Sequence, residues 1–155
     1  MDDADIDLTG IRKIVITACG SAYYAGCAAK YAIEELCRIP VLVELASELR
    51  YSNPLIDSST LLSGLTQSGE TADSIAAMKE CQSRGAKALA IVNVVGSTIA
   101  KLADWCIYTW AGPEIAVATT KGYTTQLTVL YLFALYAAKK LQTIDNSLYG
   151  TLLNA

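Results

Sequence analysis

Five short apolar runs punctuate the chain: Ile14–Ile16, Val41–Val43, Leu61–Leu62, Leu89–Val92 and Trp105–Tyr108. In each, the apolar residues are continuous rather than alternating with polar ones. Such runs predict strands covered on both faces, as in a parallel sheet. The stretches between them have helical spacing. Ala25, Ala28, Ala29, Ala32, Ile33 and Leu36 share one stripe of a helix that ends near Arg38, before Pro40. Thr71 to Ser83 predicts a second helix, with Ala72, Ile75 and Ala76 on one face and Gly85 just past its end. A shorter helix starts with Ser97 as its cap and runs to about Ala103.

The last helical stretch, about Val117 to Leu141, is apolar nearly all round between Leu127 and Ala138, with only Thr128 interrupting. Such a helix is either a central core helix or faces a partner. The partner reading is preferred, and it makes a homodimer the expected assembly. Strands alternating with helices over short connections predict an open α/β sheet wound with right-handed crossovers. Ligands of such sheets bind beyond the carboxyl ends of the strands, where the strand order reverses. No repeat or low-complexity tract interrupts the pattern, so one domain is expected. The tail from Asn146 to Ala155 carries little signal and reads as a linker.

Composition narrows the function. Of 155 residues, 53% are hydrophobic and 17% charged, which excludes a disordered chain. Twelve Lys and Arg against fifteen Asp and Glu leave a net charge of −3, and no basic cluster exists to grip nucleic acid. No apolar span approaches the roughly 20 residues of a membrane-crossing helix. The acidic start, Met1-Asp-Asp-Ala-Asp, is unlike a secretory signal, so a cytoplasmic protein is expected. There is no histidine, which removes His-based triads and His metal sites from this chain. Five scattered cysteines without a CxxC pair predict reduced, packed thiols, not disulfides or a metal site.

Three strand ends carry hydroxyls beside a helix start: Cys19-Gly20-Ser21-Ala22, Thr66-Gln67-Ser68-Gly69-Glu70-Thr71, and Ala116-Val117-Ala118-Thr119-Thr120-Lys121. In the middle loop, Thr66, Ser68 and Thr71 offer hydroxyl donors and Gln67 an amide, around a helix N-terminus whose free N–H groups favour an anion. That composition fits a phosphate held by neutral donors. It fits equally a plain cap, with Ser68 as N-cap and Glu70 and Asp73 in the first turn. Glu70 would repel a phosphate unless turned away. Ser21 is likewise either a pocket hydroxyl or a cap, and Lys121 either reaches an anion or is solvated. Neither GxGxxG nor GxxxxGK[ST] occurs, which argues against the common nucleotide folds.

Several motifs occur together in one order: Ala18-Cys-Gly-Ser-Ala-Tyr23, Leu45-Ala-Ser-Glu-Leu-Arg-Tyr51, Gln67-Ser-Gly-Glu-Thr-Ala-Asp73, Asn93-Val-Val-Gly-Ser97 and Ala111-Gly-Pro-Glu-Ile-Ala-Val-Ala-Thr-Thr-Lys121. In these the chain resembles the first sugar isomerase (SIS) domain of the isomerising glutamine–fructose-6-phosphate aminotransferases, over roughly residues 12–141. The resemblance implies a three-layer αβα sandwich with a flavodoxin-like, five-stranded parallel sheet. Residues 1–11 would form an N-terminal extension and 142–155 a tail or truncated linker.

Carried over position by position, the resemblance implies that Thr66, Gln67, Ser68 and Thr71 hold the phosphate of fructose 6-phosphate. The turn of Cys19, Gly20, Ser21 and Ala22 would assist. Val117 and Thr119 would lie against the sugar hydroxyls, with Ala118 between them in the substrate-binding set. Where the family often reads Cys-Gly-Thr-Ser, this chain has Cys19-Gly-Ser-Ala22, one hydroxyl fewer; Thr66 and Thr119 stand where serine is common.

The family's glutaminase, and the second SIS domain with its acid–base residues, would be partners outside this chain. No catalytic residue, cofactor or metal is therefore expected within it. The expectation is weak sugar-phosphate binding without turnover. Two alternatives are half of an amino-sugar-phosphate deglycase or deaminase, and a non-catalytic sugar-phosphate sensor.

Overall fold

Five strands form one all-parallel sheet in the order β2-β1-β3-β4-β5: β1 (Lys13–Ala18), β2 (Val41–Leu45), β3 (Thr60–Thr66), β4 (Lys87–Val92) and β5 (Trp105–Tyr108). Each coincides with one of the continuous apolar runs. This computed structural model describes residues 5–114 and 119–154. The helices are α1 (Ser21–Cys37), α2 (Ala46–Leu49), α3 (Ala72–Ser83), α4 (Thr98–Leu102), α5 (Lys121–Lys140) and α6 (Asn146–Leu153). One core, built by α1 and α5 with Ile14, Ile16, Leu61, Leu65, Leu89 and Ile91, lies on one face of the sheet. A second core, with Val15, Leu62, Ala88, Ala90 and Val92 under α2, α3 and α4, lies on the other. Successive residues of a strand point to opposite faces, so the continuous runs of β1, β3, β4 and β5 feed both cores. The result is the expected three-layer αβα sandwich.

The chain leaves β1 towards β2 and returns across β1 to β3, so the order reverses between β1 and β3. A cleft opens at their carboxyl ends for that reason.

Three packing expectations need correction. On α1, Ala28 is exposed; the buried stripe is Ala22, Ala25, Gly26, Ala29, Ile33 and Cys37. Gly26 turns the stripe, because a Cβ there would meet Ile16 Cγ2 at 2.9 Å and Val43 Cγ1 at 3.2 Å. On α3 the buried face is Ser74, Ala77, Met78 and Cys81, with Ala72 exposed. A polar Ser74 and a small Cys81 disguise that face in the sequence. Strand β2 is an edge, and the single turn of α2 leaves Leu42 and Leu45 uncovered.

Helix α5 starts at Lys121, four residues later than expected, and buries Val129, Leu130, Phe133, Ala134, Ala137 and Ala138 within the chain, largely against α1. The core reading accounts for that face, and Tyr131 and Leu132 remain exposed. Its threonines are tolerated because Thr124, Thr125 and Thr128 donate their hydroxyls to carbonyls one turn back. Ile6, Leu8 and Ile11 are buried with this layer, and the Lys140 ammonium donates to the Ile6 carbonyl at 2.6 Å. The tail forms α6, where Asp145 accepts the Leu148 N–H at 2.7 Å as an N-cap.

All five cysteines are free. Burial pushes the Cys37 thiol up to about 12 and Cys81 to about 11, and Cys37 Sγ lies 3.4 Å from the Ala134 carbonyl oxygen that accepts its proton. Thiolate is the reactive form. In a disulfide-exchange assay at mildly alkaline pH, neither residue should react until denaturant is added. Prompt modification of Cys37 in the native protein would contradict this packing.

Candidate functional site

The cleft at the β1/β3 reversal is a cavity of about 500 Å³, walled by Cys19, Gly20, Ser21, Ala22, Leu65, Thr66, Gln67, Ser68, Thr71, Ser74, Glu114, Thr119 and Gln126. The three hydroxyl-bearing strand ends thus meet at one place. Of the residues singled out in the sequence, Cys19, Gly20, Ser21, Ala22, Thr66, Gln67, Ser68, Thr71 and Thr119 line it. Val117 and Ala118 lie outside the described residues.

The middle loop is built as a cradle, not as the cap first weighed. Helix α3 begins at Ala72 with Thr71 in the N-cap position, so Ser68 is three residues too early to cap it. Instead Thr66 Oγ1 accepts the Gly69 N–H at 3.3 Å, and Ser68 Oγ accepts the Glu70 N–H at 3.2 Å. A hydroxyl that accepts one bond keeps its own proton to donate. Both oxygens are therefore held in place while their O–H groups remain available to an anion. The first bond into α3 runs from the Ile75 N–H to the Thr71 carbonyl. The N–H groups before it form the positive end of the helix.

Gly69 makes the loop possible. Its φ is +71°, and a Cβ there would stand 2.2 Å from Ser97 Oγ. Its carbonyl accepts the Ile99 N–H at 3.1 Å, tying the loop to α4.

Glu70 is turned away from the cavity. Its carboxylate accepts the Thr98 N–H at 2.8 Å and the Thr98 hydroxyl at 2.7 Å, so Glu70 caps α4 although Ser97 occupies the N-cap position. These two bonds hold its carboxyl below the ordinary 4.5. A lowered folded-state value means that the stabilisation is present above the unfolded value and is lost as pH falls through the folded one. Denaturant midpoints of wild type and Glu70→Gln should therefore differ near neutrality and converge only in acid, once the pH has fallen below the lowered folded-state value of Glu70. A gap that persists there would sink the capping role.

At the first loop, Gly20 with φ +60° is the N-cap of α1 and uses no side chain, which leaves Ser21 as the first helical residue on the cavity wall. At the last loop, Lys121 donates to the Pro113 carbonyl rather than reaching into the cavity. Sequence reasoning missed Asn93 as a fastener. Its side chain donates to the Gly112 carbonyl at 2.8 Å and accepts the Ala111 N–H at 2.8 Å, fixing the β5 exit beside the cavity. The available signal was an asparagine directly after a buried strand. It also missed Ser74, Glu114 and Gln126 as wall residues. Ser74 Oγ, Glu114 Oε2, Thr119 Oγ1 and Gln126 Oε1 are all enclosed and unpartnered, and all line this cavity. Buried polar atoms normally find partners, so their concentration here marks a place where a ligand would supply them.

Among the described residues the cavity wall carries no lysine or arginine and a single carboxylate, Glu114. Among the described residues no group of His, Cys, Asp and Glu side chains is arranged to hold a metal, and no helix is long and apolar enough to cross a membrane. What the arrangement can do is hold an oxyanion by hydroxyls, an amide and a helix end, with further hydrogen-bonding groups on the facing wall.

The SIS domain family model matches residues 7–136. The chain belongs to the SIS domain family. Among curated relatives, this SIS domain is 56% identical over 135 residues to the isomerising glutamine–fructose-6-phosphate aminotransferase of Clostridium tetani, covering 87% of this chain and 22% of that protein. It is 52% identical over 149 residues to the enzyme of the same name from Clostridium acetobutylicum, covering 94% of this chain and 24% of that one. It thus spans about a quarter of the length of these relatives. Among solved structures, it superimposes on the C-terminal domain of glucosamine-fructose-6-phosphate aminotransferase from Francisella tularensis with a TM-score of 0.91 and 36% identity, covering 95% of this chain and 43% of that one.

Proposed function

We propose that this SIS domain is the first half of the isomerase module of an isomerising glutamine–fructose-6-phosphate aminotransferase, acting in the cytoplasm and binding the phosphate of fructose 6-phosphate. The carrying observation is the β3–α3 loop, in which Thr66 and Ser68 each accept a backbone N–H and so keep a hydroxyl proton to donate, beside the start of a helix. Gln67 and Thr71 complete this donor set on the cavity wall. Neutral donors at a helix N-terminus suit a phosphate ester that must be released after reaction. The identity to two aminotransferases favours that enzyme over a deglycase, deaminase or sensor.

In this reading the domain binds and orients the sugar phosphate, and proton transfer belongs to residues outside the chain. A second SIS domain and a glutaminase would complete the enzyme, with the exposed Tyr131 and Leu132 strip of α5 available to an SIS partner in a dimer. Titration of the isolated chain with fructose 6-phosphate, followed by amide NMR, tests the reading. Shifts should concentrate at residues 66–73 and 19–22, without formation of glucosamine 6-phosphate. Shifts confined to other surfaces would overturn it.

A further inference from the structure

We infer that Gln126 reads the hydroxyl-bearing chain of the ligand and gives this site its preference for a sugar phosphate over bare phosphate. The inference rests on the proposed sugar-phosphate reading of the cavity.

Gln126 sits in the second turn of α5 and is 3% exposed. Its neighbours on that buried face are Gly122, Val129, Leu130 and Phe133, so an aliphatic residue would satisfy the packing. The amide makes no hydrogen bond among the described residues, and its enclosed Oε1 is orphaned. That is not the habit of this helix, because Thr124, Thr125 and Thr128 all pair with its own carbonyls. A buried amide without a partner costs stability. Its place on the cavity wall points to a partner that arrives with the ligand.

The chemistry of the facing walls says which part of the ligand that is. Helix α3 belongs to the layer of the second core, and α5 to the layer of the first, across the sheet. The α3 side offers hydroxyl donors and a helix N-terminus, which suit phosphate oxygens that only accept. The α5 side offers the Gln126 amide with the enclosed, unpartnered Glu114 Oε2 and Thr119 Oγ1. A carboxylate repels phosphate but accepts from a hydroxyl. An amide both donates and accepts, as a sugar hydroxyl does. The phosphate therefore belongs on the α3 side, and the polyol chain on the side of Gln126.

The test is NMR titration of the 155-residue chain with fructose 6-phosphate and, separately, with inorganic phosphate. Gln126→Leu should weaken fructose 6-phosphate by about tenfold, the loss of one to two neutral hydrogen bonds, and leave inorganic phosphate within about twofold. It should also raise the thermal midpoint of the free protein, because an unpaired buried amide oxygen is replaced by an apolar side chain. Gln126→Met, flexible enough to fill the same space, should behave alike and guards against a packing defect. Equal weakening of both ligands, an unchanged affinity for fructose 6-phosphate, or a lowered midpoint in both variants would overturn the role of Gln126. If the wild-type chain binds neither ligand, the proposed function fails as well; if it binds both and the variants match it, only the Gln126 inference fails.

Discussion

Gly69→Ala should remove ligand binding altogether and lower unfolding stability by about 2–5 kcal/mol. Two independent penalties combine. The backbone at φ +71° lies in the left-handed region, where a side chain costs roughly 1–2 kcal/mol. The new methyl would also stand 2.2 Å from Ser97 Oγ and 2.5 Å from Ser97 Cβ. Forcing an atom into packed space costs about 1–3 kcal/mol more. Relief by moving Ser97 would shift the start of α4, whose Ile99 N–H bonds the Gly69 carbonyl. Relief by moving the loop would carry Thr66 and Ser68 off their backbone donors. Either way the cradle opens. Urea unfolding read beside a fructose 6-phosphate titration checks both effects. A variant with wild-type midpoint and affinity would show that the loop is not held as described.

Thr66→Val should weaken fructose 6-phosphate by about tenfold to a hundredfold, the equivalent of a hydrogen bond to a charged group worth about 1.5–3 kcal/mol. Valine keeps the shape of threonine and removes only the hydroxyl. Thr66 is 5% exposed, and its oxygen is the acceptor for the Gly69 N–H at 3.3 Å. The change thus deletes the O–H donor and orphans a buried N–H at once. The second loss should lower stability by about 1–3 kcal/mol. Thr66→Ser keeps the hydroxyl and should bind within a few-fold of wild type. Equal affinity for the Val and Ser variants would mean that the hydroxyl does not touch the ligand.

The sheet was legible because its central strands are buried on both sides and so read as unbroken apolar runs, and the half-covered edge strands β2 and β5 keep the same pattern. Helix positions were legible for a similar reason: Arg38, Gly85 and Ser97 stop or start them through local backbone chemistry. Faces were harder. On α3, Ser74 is buried and Ala72 exposed, and neither fact can be read from a residue's polarity. Tertiary contact decides them.

The strand-end hydroxyls marked the cavity, but whether Ser68 caps or cradles depends on where α3 begins, a matter of a few residues. The direction of Glu70 depends on Thr98, which lies 28 positions away. Gln126 was not singled out in the sequence, where it follows Thr124 and Thr125 just ahead of the apolar run, and only its unpaired Oε1 beside Glu114 and Thr119 distinguishes it. The resemblance to the aminotransferase family brought the site together before the geometry did. The geometry adds how neutral groups can hold an anion with Glu70 only a residue from the cradle.

The most direct measurement is a crystal of this chain soaked with fructose 6-phosphate. The account places the phosphate oxygens within hydrogen-bonding distance of the Thr66, Ser68 and Thr71 hydroxyls and the Gln67 side chain, at the start of α3. The sugar should extend towards Glu114 and Gln126. A phosphate bound elsewhere on the chain, with Thr66 and Ser68 bonded only to Gly69 and Glu70, would contradict it.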